Sequence, residues 1–306
     1  MLDVLCVSDM TADLIVRGRE LPRFGQVETL LDDYILEIGG SANIFASQFC
    51  KLGGSAGVVG CVGPDVLGSF LRAKLTTIGV DLRHVRDNPR LKTGISAHLN
   101  HQGDRAILTY LGTADGVRAE DLTDDLLLGA RHWHIASYFL LEQLRTRWPA
   151  FLREARRLKK TVSLDTNWDP VQAWVGVKEL LPQVDIFLPN ENEAIAITKK
   201  ATPEEAGQAL SLLGPLVVIK CGARGAVAFK NGQEIAAMAP DLLVEPVDST
   251  GAGDNFDAGF LRGFLLSRTL EDCLRLGTRC AGASLGALGG IEGQWRHNVA
   301  DDGKAA

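Results

Sequence analysis

The stretch Val247-Asp248-Ser249-Thr250-Gly251-Ala252-Gly253-Asp254 sets small residues and a carboxylate directly before an apolar stripe, Phe256, Phe260 and Phe264, at i, i+4 and i+8. The stripe predicts a buried helix over Asp254 to Leu266, which puts Gly251, Ala252 and Gly253 in the turn that enters it. Backbone N–H groups in such a turn have no intrahelical partner and the macrodipole is positive there, so the turn suits an anion. Asp254, at the same spot, can accept the proton of an attacking hydroxyl. Phosphoryl transfer needs in-line positioning, charge neutralisation on the equatorial oxygens and a proton acceptor, and this segment could supply two of the three. Read alone, Gly-Ala-Gly-Asp fits an ordinary N-capped helix after a Gly-rich loop equally well.

The elements around it alternate. Short apolar runs at Val4 to Val7, Ala56 to Val62, His132 to Ala136, Val162 to Asp165, Ile186 to Leu188, Leu216 to Lys220 and Ala226 to Phe229 read as buried strands. Helical stretches lie between or after them, at Ser41 to Leu52, Asp65 to Ile78, Thr146 to Lys159, Glu191 to Thr198, Pro203 to Leu213 and Leu270 to Leu288. This rhythm predicts one α/β domain over residues 1–306, a mainly parallel central sheet covered by helices on both faces. Two regions break it, 13–38 and 93–110, where apolar and polar residues alternate, as in Ile95, Ala97 and Leu99, then Ala106, Leu108 and Tyr110. They predict half-exposed antiparallel strands forming a small β-sheet lid, with a turn at His101-Gln102-Gly103-Asp104 and a frayed tail from Asp301.

Composition narrows the function. With 306 residues, 46% of them hydrophobic and 23% charged, the chain has the makeup of a globular protein. Lys plus Arg number 32 against 38 Asp plus Glu, a formal charge of −6 without a long basic block, so nucleic acid and anionic membranes gain no support as partners. The start, Met1-Leu2-Asp3, has an acid where a signal peptide has basic residues, and no run approaches a membrane span; a cytoplasmic location is expected. Six scattered cysteines read as reduced thiols, and His132 and His134, lacking ligand spacing, as structural. A Walker A loop is absent, and Phe256 occupies the position that would complete a dinucleotide G-x-G-x-x-G from Gly251.

The segment 248–254 resembles the second signature of the ribokinase-like (PfkB) carbohydrate kinase family, D-T-x-G-A-G-D before a helix. Ile38-Gly39-Gly40-Ser41-Ala42-Asn43 resembles that family's first signature, a di-glycine with Asn three residues on. Gly60-x-Val62-Gly63-x-Asp65-x-x-Gly68 with Gly79-Val80-Asp81, Pro189-Asn190-Glu191-Asn192-Glu193, and Lys220-Cys221-Gly222-Ala223-Arg224-Gly225 extend the likeness over nearly the whole chain. The resemblance implies a ribokinase-like three-layer sandwich with a small β-sheet lid and ATP-dependent phosphorylation of a sugar-like small molecule.

It also implies roles. Asp254 is the expected base, with Gly251, Ala252 and Gly253 completing the anion hole. Asn190 and Glu193 would organise Mg²⁺ through water, or serve instead as a helix cap and a first-turn acid. Asp13, Gly39, Gly40 and Asn43 would hold the substrate hydroxyls, against readings as a turn residue and a helix cap. Lys220, Gly222, Ala223 and Gly225 fit the nucleotide side, unless Lys220 is a strand-end residue reaching solvent. Asp248 and Thr250 match residues that in some relatives bind a monovalent cation such as K⁺, with Leu288-Gly289-Gly290 as a partner loop. Relatives often dimerise through the lid, which makes a homodimer an expectation here.

Asp165-Thr166-Asn167-Trp168-Asp169-Pro170 has Trp168-Asp169 where many relatives carry a basic residue, a departure that argues against a strongly anionic co-substrate there. Arg105 reads as a solvated charge on the lid. A kinase acting on a primary hydroxymethyl group of a sugar or sugar acid is the leading reading, a nucleoside kinase the second, and a catalytically silent sugar-binding protein the third. The acceptor's identity depends on several loops whose pairing the sequence does not give.

Overall fold

A computed structural model describes residues 1–101, 104–241 and 244–296. The strands are β1 (Leu2–Val7), β2 (Thr11–Arg17), β3 (Asp33–Ile38), β4 (Ala56–Val62), β5 (Asp81–Asp87), β6 (Gly94–His101), β7 (Asp104–Tyr110), β8 (Ala130–Ile135), β9 (Thr161–Leu164), β10 (Ile186–Phe187), β11 (Leu216–Lys220), β12 (Ala226–Lys230) and β13 (Gln233–Met238). The helices are α1 (Ser41–Lys51), α2 (Val66–Ile78), α3 (Asp124–Leu128), α4 (Trp148–Arg157), α5 (Val177–Leu180), α6 (Glu191–Thr198), α7 (Pro203–Ser211), α8 (Ala252–Leu265) and α9 (Leu270–Ser284).

Within the described residues a nine-stranded sheet runs β13-β12-β11-β10-β9-β8-β1-β4-β5, and a separate four-stranded sheet runs β3-β2-β6-β7. In the large sheet, β11/β12 and β12/β13 pair antiparallel, while β1, β4, β5, β8, β9, β10 and β11 are parallel. Alternation along β1 divides the core: Leu5 and Val7 face Trp133, Trp148 and Phe151, whereas Val4 and Cys6 face Phe45, Phe49 and Phe260. Helices therefore cover both faces, which is why the parallel strands read as unbroken apolar runs.

The sequence-based boundaries hold for β4, β11 and α6, and shift elsewhere. β5, with the sequence Asp-Leu-Arg-His-Val-Arg-Asp, was not anticipated, because it buries little besides Val85. Charged side chains suit an exposed sheet edge. The segment 13–38 divides into β2 and β3 around a long connection, and β2 begins at Thr11, before Asp13. The small sheet is antiparallel within each hairpin, pairing Ile95 with Tyr110, Ala97 with Leu108 and Leu99 with Ala106, but β2 joins β6 in parallel. The expected helix to Leu288 stops at Ser284, and the chain turns back so that Leu285 O accepts from Val247 N at 2.7 Å. Gln102 and Gly103 of the expected turn, and the tail from Asp301, lie outside the described residues.

All six cysteines are free. His132 bonds Thr161 and Ser163 at 2.8 Å each and His134 bonds Ser163 at 2.8 Å; burial pushes both imidazoles down to about 3, so they pack as neutral rings. The α8–α9 pair locks the chemistry-bearing helix in place. Phe256 stacks on Phe260 with ring centroids 6.2 Å apart, and a Cβ on Gly259 would come within 2.6 Å of Leu276 O. Gly259→Ala should consequently destabilise the fold by about 1–3 kcal/mol, read as a lower thermal midpoint, because a backbone carbonyl has little room to yield.

Candidate active site

The strand order reverses at β1, which has β4 on one side and β8 on the other. Open α/β sheets bind ligands outside the carboxyl ends of strands at such a point. Here β1 runs into Ser8 and Asp9, and β8 into Ala136 and Ser137. Asp9 is 4% exposed; its Oδ2 accepts from Ser137 Oγ at 2.8 Å, while Oδ1 has no hydrogen-bond partner among the described residues. Burial pushes its carboxyl up to about 6, against the pull of the Ser137 hydroxyl.

The di-glycine belongs to the same corner. A Cβ on Gly39 would fall 2.0 Å from Asp13 Oδ1, and one on Gly40, at φ 79°, would fall 2.4 Å from Asp9 O. Both positions need glycine because the two acids lie against the backbone. Asn43 is fully buried, accepting from Ser8 Oγ at 2.7 Å and donating to Gly39 O at 2.8 Å, so its amide pins the loop. Asp13 lies on β2, just past the link from β1, and its Oδ1 sits 3.4 Å from His98 Nε2 on β6. His98 was not anticipated; alternation along β6 places it on the face opposite Ala97 and Leu99, which is the signal that was available.

Gly251 is the N-cap of α8, in the left-handed region at φ 70°, where its missing Cβ leaves room for Gly290 Cα and Ile44. Asp254 follows in the first turn, 7% exposed. Burial pushes its carboxyl up to about 8, the charges of Asp165 and Asp9 adding to it and Lys220 and the Ser41 hydroxyl opposing it. Asp248 ties the preceding loop together, with Oδ1 accepting from Thr250 N at 3.0 Å and Oγ1 at 2.9 Å, and Oδ2 from Gly289 N at 2.9 Å.

The Lys220 side chain turns inward, with 11% of it exposed. Its ammonium lies 2.7 Å from Asp165 Oδ2 and 3.1 and 3.2 Å from the Asp257 oxygens. Burial alone would lower the Lys220 pKa, but the charges of Asp165 and Asp257 hold it well above the usual lysine range. Burial would likewise raise Asp165, yet Lys220 keeps it below the ordinary carboxylate value. Asp257 goes up, chiefly from burial. It too was not anticipated, although its place three residues after Asp254 puts the two on neighbouring positions of one helix face.

Asn190 and Glu193 form a capping box: Asn190 N donates to Glu193 Oε2 at 2.8 Å and Glu193 N donates to Asn190 Oδ1 at 2.9 Å. Burial, then the Asp165 charge, raises Glu193 to about 7. Gly222, Ala223 and Gly225 meet Ala252, Gly253 and Phe256 around one cavity of about 330 Å³ that Lys220 also borders. Two segments some thirty residues apart in the chain thus share a single cleft. The side chain of Arg105 lies outside the described residues.

A large mainly parallel sheet flanked by helices, a smaller sheet beside its carboxyl edge and an acid at a glycine-rich helix start together define a ribokinase-like phosphotransferase fold. Residues 1–296 match the pfkB family carbohydrate kinase description, and the chain belongs to that family. An ATP-dependent 6-phosphofructokinase of Thermoanaerobacterium thermosaccharolyticum is 28% identical over 297 residues, 94% of this chain and 89% of that protein. Adenosine kinase of Sinorhizobium meliloti superposes with a TM-score of 0.85 at 25% identity, covering 100% of this chain and 99% of that one. A candidate Ribokinase II of E. coli, solved in complex with ATP and Mg²⁺, gives a TM-score of 0.84 at 22% identity over 97% and 96% of the two chains.

Gly39→Ala would drive Asp13 from its place without touching the large sheet. Sugar- or nucleoside-dependent ADP release should fall on the order of 100-fold in kcat/KM while the thermal midpoint moves little.

Proposed function

We propose that this chain transfers the γ-phosphoryl group of ATP to a hydroxyl, a primary CH₂OH, of a small sugar or sugar acid. The observation that carries the reading is Asp254, a buried carboxylate on the first turn of α8, close enough to Asp9 to feel its charge, with the Gly251–Gly253 turn beside it. The acceptor oxygen bonds to the γ-phosphorus as its proton passes to Asp254. The bond from that phosphorus to the β–γ bridging oxygen breaks, and ADP leaves. Amides of Gly251, Ala252, Gly253 and Asp254 stabilise the charge on the equatorial oxygens. Asp13, with Gly39 leaving it room, and Asp9, with Gly40 beside it and one oxygen unpartnered, receive the acceptor's other hydroxyls. The cleft of about 330 Å³ beside Gly222, Ala223 and Gly225 takes the nucleotide, and the small sheet acts as the lid that excludes water from the transfer.

The residues present fit Mg²⁺. Glu193 Oε2 accepts from Asn190 N at 2.8 Å, and the capping box makes no use of Oε1. This suits an ion that keeps its waters and takes other ligands from phosphates. Asn190 and Glu193 would hold it through water, and Mg²⁺ supplies neutralising charge to the phosphate oxygens. K⁺ belongs to the same reading at Asp248 and Thr250; the Asp248 carboxylate already accepts from Thr250 and Gly289, leaving backbone carbonyls of that loop to complete the shell.

A nucleoside acceptor is the second reading, favoured by the full-length superposition on an adenosine kinase. ATP consumption with ribose, 2-keto-3-deoxygluconate, fructose and adenosine separates the two. Asp254→Asn should cut kcat by about 10²–10⁴-fold with nucleotide affinity retained. A base must be ionised to act, so kcat/KM should rise with pH to half its limit near the raised Asp254 value of about 8. Unchanged turnover in the variant would refute the assignment.

The homodimer is part of this proposal. Val16, Tyr34, Leu36, Leu99, Leu108 and Tyr110 share the face of the small sheet turned away from Asp13 and His98, and Tyr34, Leu108 and Tyr110 are 68%, 65% and 50% exposed. A second copy laid on this apolar face would bury it. Light scattering should give twice the chain mass for the native protein and the monomer mass for Leu108→Glu.

A further inference from the structure

We infer that Lys220 is a positioning residue: clamped between Asp165 and Asp257, it fixes the first turn of α8 on the sheet and does not bind the nucleotide's phosphates. The inference rests on the proposed role of Asp254.

Lys220 ends β11, Asp165 follows β9, and Asp257 is on α8. An ammonium has three donors and no acceptor. Those of Lys220 face Asp165 Oδ2 at 2.7 Å and both Asp257 oxygens at 3.1 and 3.2 Å, and its side chain is 11% exposed. A phosphate would have to draw the ammonium away from the ionised Asp165, 3% exposed, and from Asp257, 0% exposed. Leaving such acids buried without a cation is strongly unfavourable. Asp257 stands three residues from Asp254 on the same helix, so the clamp reaches the proposed base through a single turn. A Cβ on Gly253 would lie 3.3 Å from Lys220 Nζ, so the anion-hole backbone rests directly against the clamp. The cavity that Lys220 borders is thus walled by an ammonium whose donors point to the protein.

The two roles predict different kinetics. A phosphate ligand acts on nucleotide affinity, whereas a positioning residue acts on the transferring step. Lys220→Met would strand two buried acids and put folding itself at risk, so the test uses Lys220→Arg, Asp257→Asn and the double variant. Each is assayed for kcat and, by calorimetry, for Kd of a non-hydrolysable ATP analogue with Mg²⁺. The expected result is a kcat loss of roughly tenfold or more in each single variant, Kd within about threefold of the parent, and a double variant little worse than the worse single one. A Kd that weakens in step with kcat, additive losses in the double variant, or a lowered thermal midpoint with kcat intact would each overturn the inference. If Asp254→Asn itself keeps turnover, the reading of the base has failed; if that variant is dead while Lys220→Arg is fully active, the clamp alone has failed.

Discussion

Negative charge in a place with little water is the constraint around which this molecule is organised. Asp165, Asp257, Glu193 and Asp254 all feel the single ammonium of Lys220, and every one of them is buried. An uncompensated buried carboxylate costs several kcal/mol, so such a group persists only where geometry and nearby dipoles hold it. The sheet supplies the geometry by setting β9, β10 and β11 side by side, which brings Asp165 and Lys220 to one edge. The helices supply the dipoles. α6 opens at Glu191 directly after that edge, and α8 and α1 bring their N-terminal turns to Asp254 and Asp9, so positive helix ends face the excess of acid. Burial still raises the carboxyls of Glu193, Asp254 and Asp257, with the charge of Asp165 adding to it in each.

Close backbone approach is the second consequence. Acids that must point inward from β1 and β2 have no space beside them unless the neighbouring chain lacks side chains. Gly39 and Gly40 provide that space for Asp13 and Asp9. Asn43 then holds the loop from within, joining Ser8 to Gly39 through one amide. The motif is therefore a packing solution in its own right.

Much of this was legible in the residues. Apolar runs marked β4 and β11 to the residue, because both faces of those strands are covered. The phenylalanine stripe marked α8, and with it the turn that carries Asp254. The edge strands of the large sheet were not legible: β13 is half-exposed along its length, so nothing in its side chains distinguishes it from a loop. The Lys220 clamp was hidden for a different reason. Its partners lie 55 and 37 residues away, so no residue near Lys220 in the chain points to Asp165 or Asp257. Asn190 and Glu193 were readable as a cap or as metal organisers, and the capping box shows the first geometry without consuming both Glu193 oxygens.

The connection between the sheets gives the site its division of labour. β1 is internal to the large sheet and β2 to the small one, yet only Ser8, Asp9 and Met10 separate them. All three are buried, and Asp9 is tied to Ser137 on the large-sheet side. The return link from β3 to α1 is Gly39-Gly40, again at the site. Both links thus pass through residues that touch the acids. A tilt of the small sheet would carry Asp13 and His98 with it while Asp9 and Asp254 stayed with the large one. Neither link can bend without moving a carboxylate or the glycine packed against it, so under the function proposed above closure of the small sheet and capture of the acceptor would be a single event.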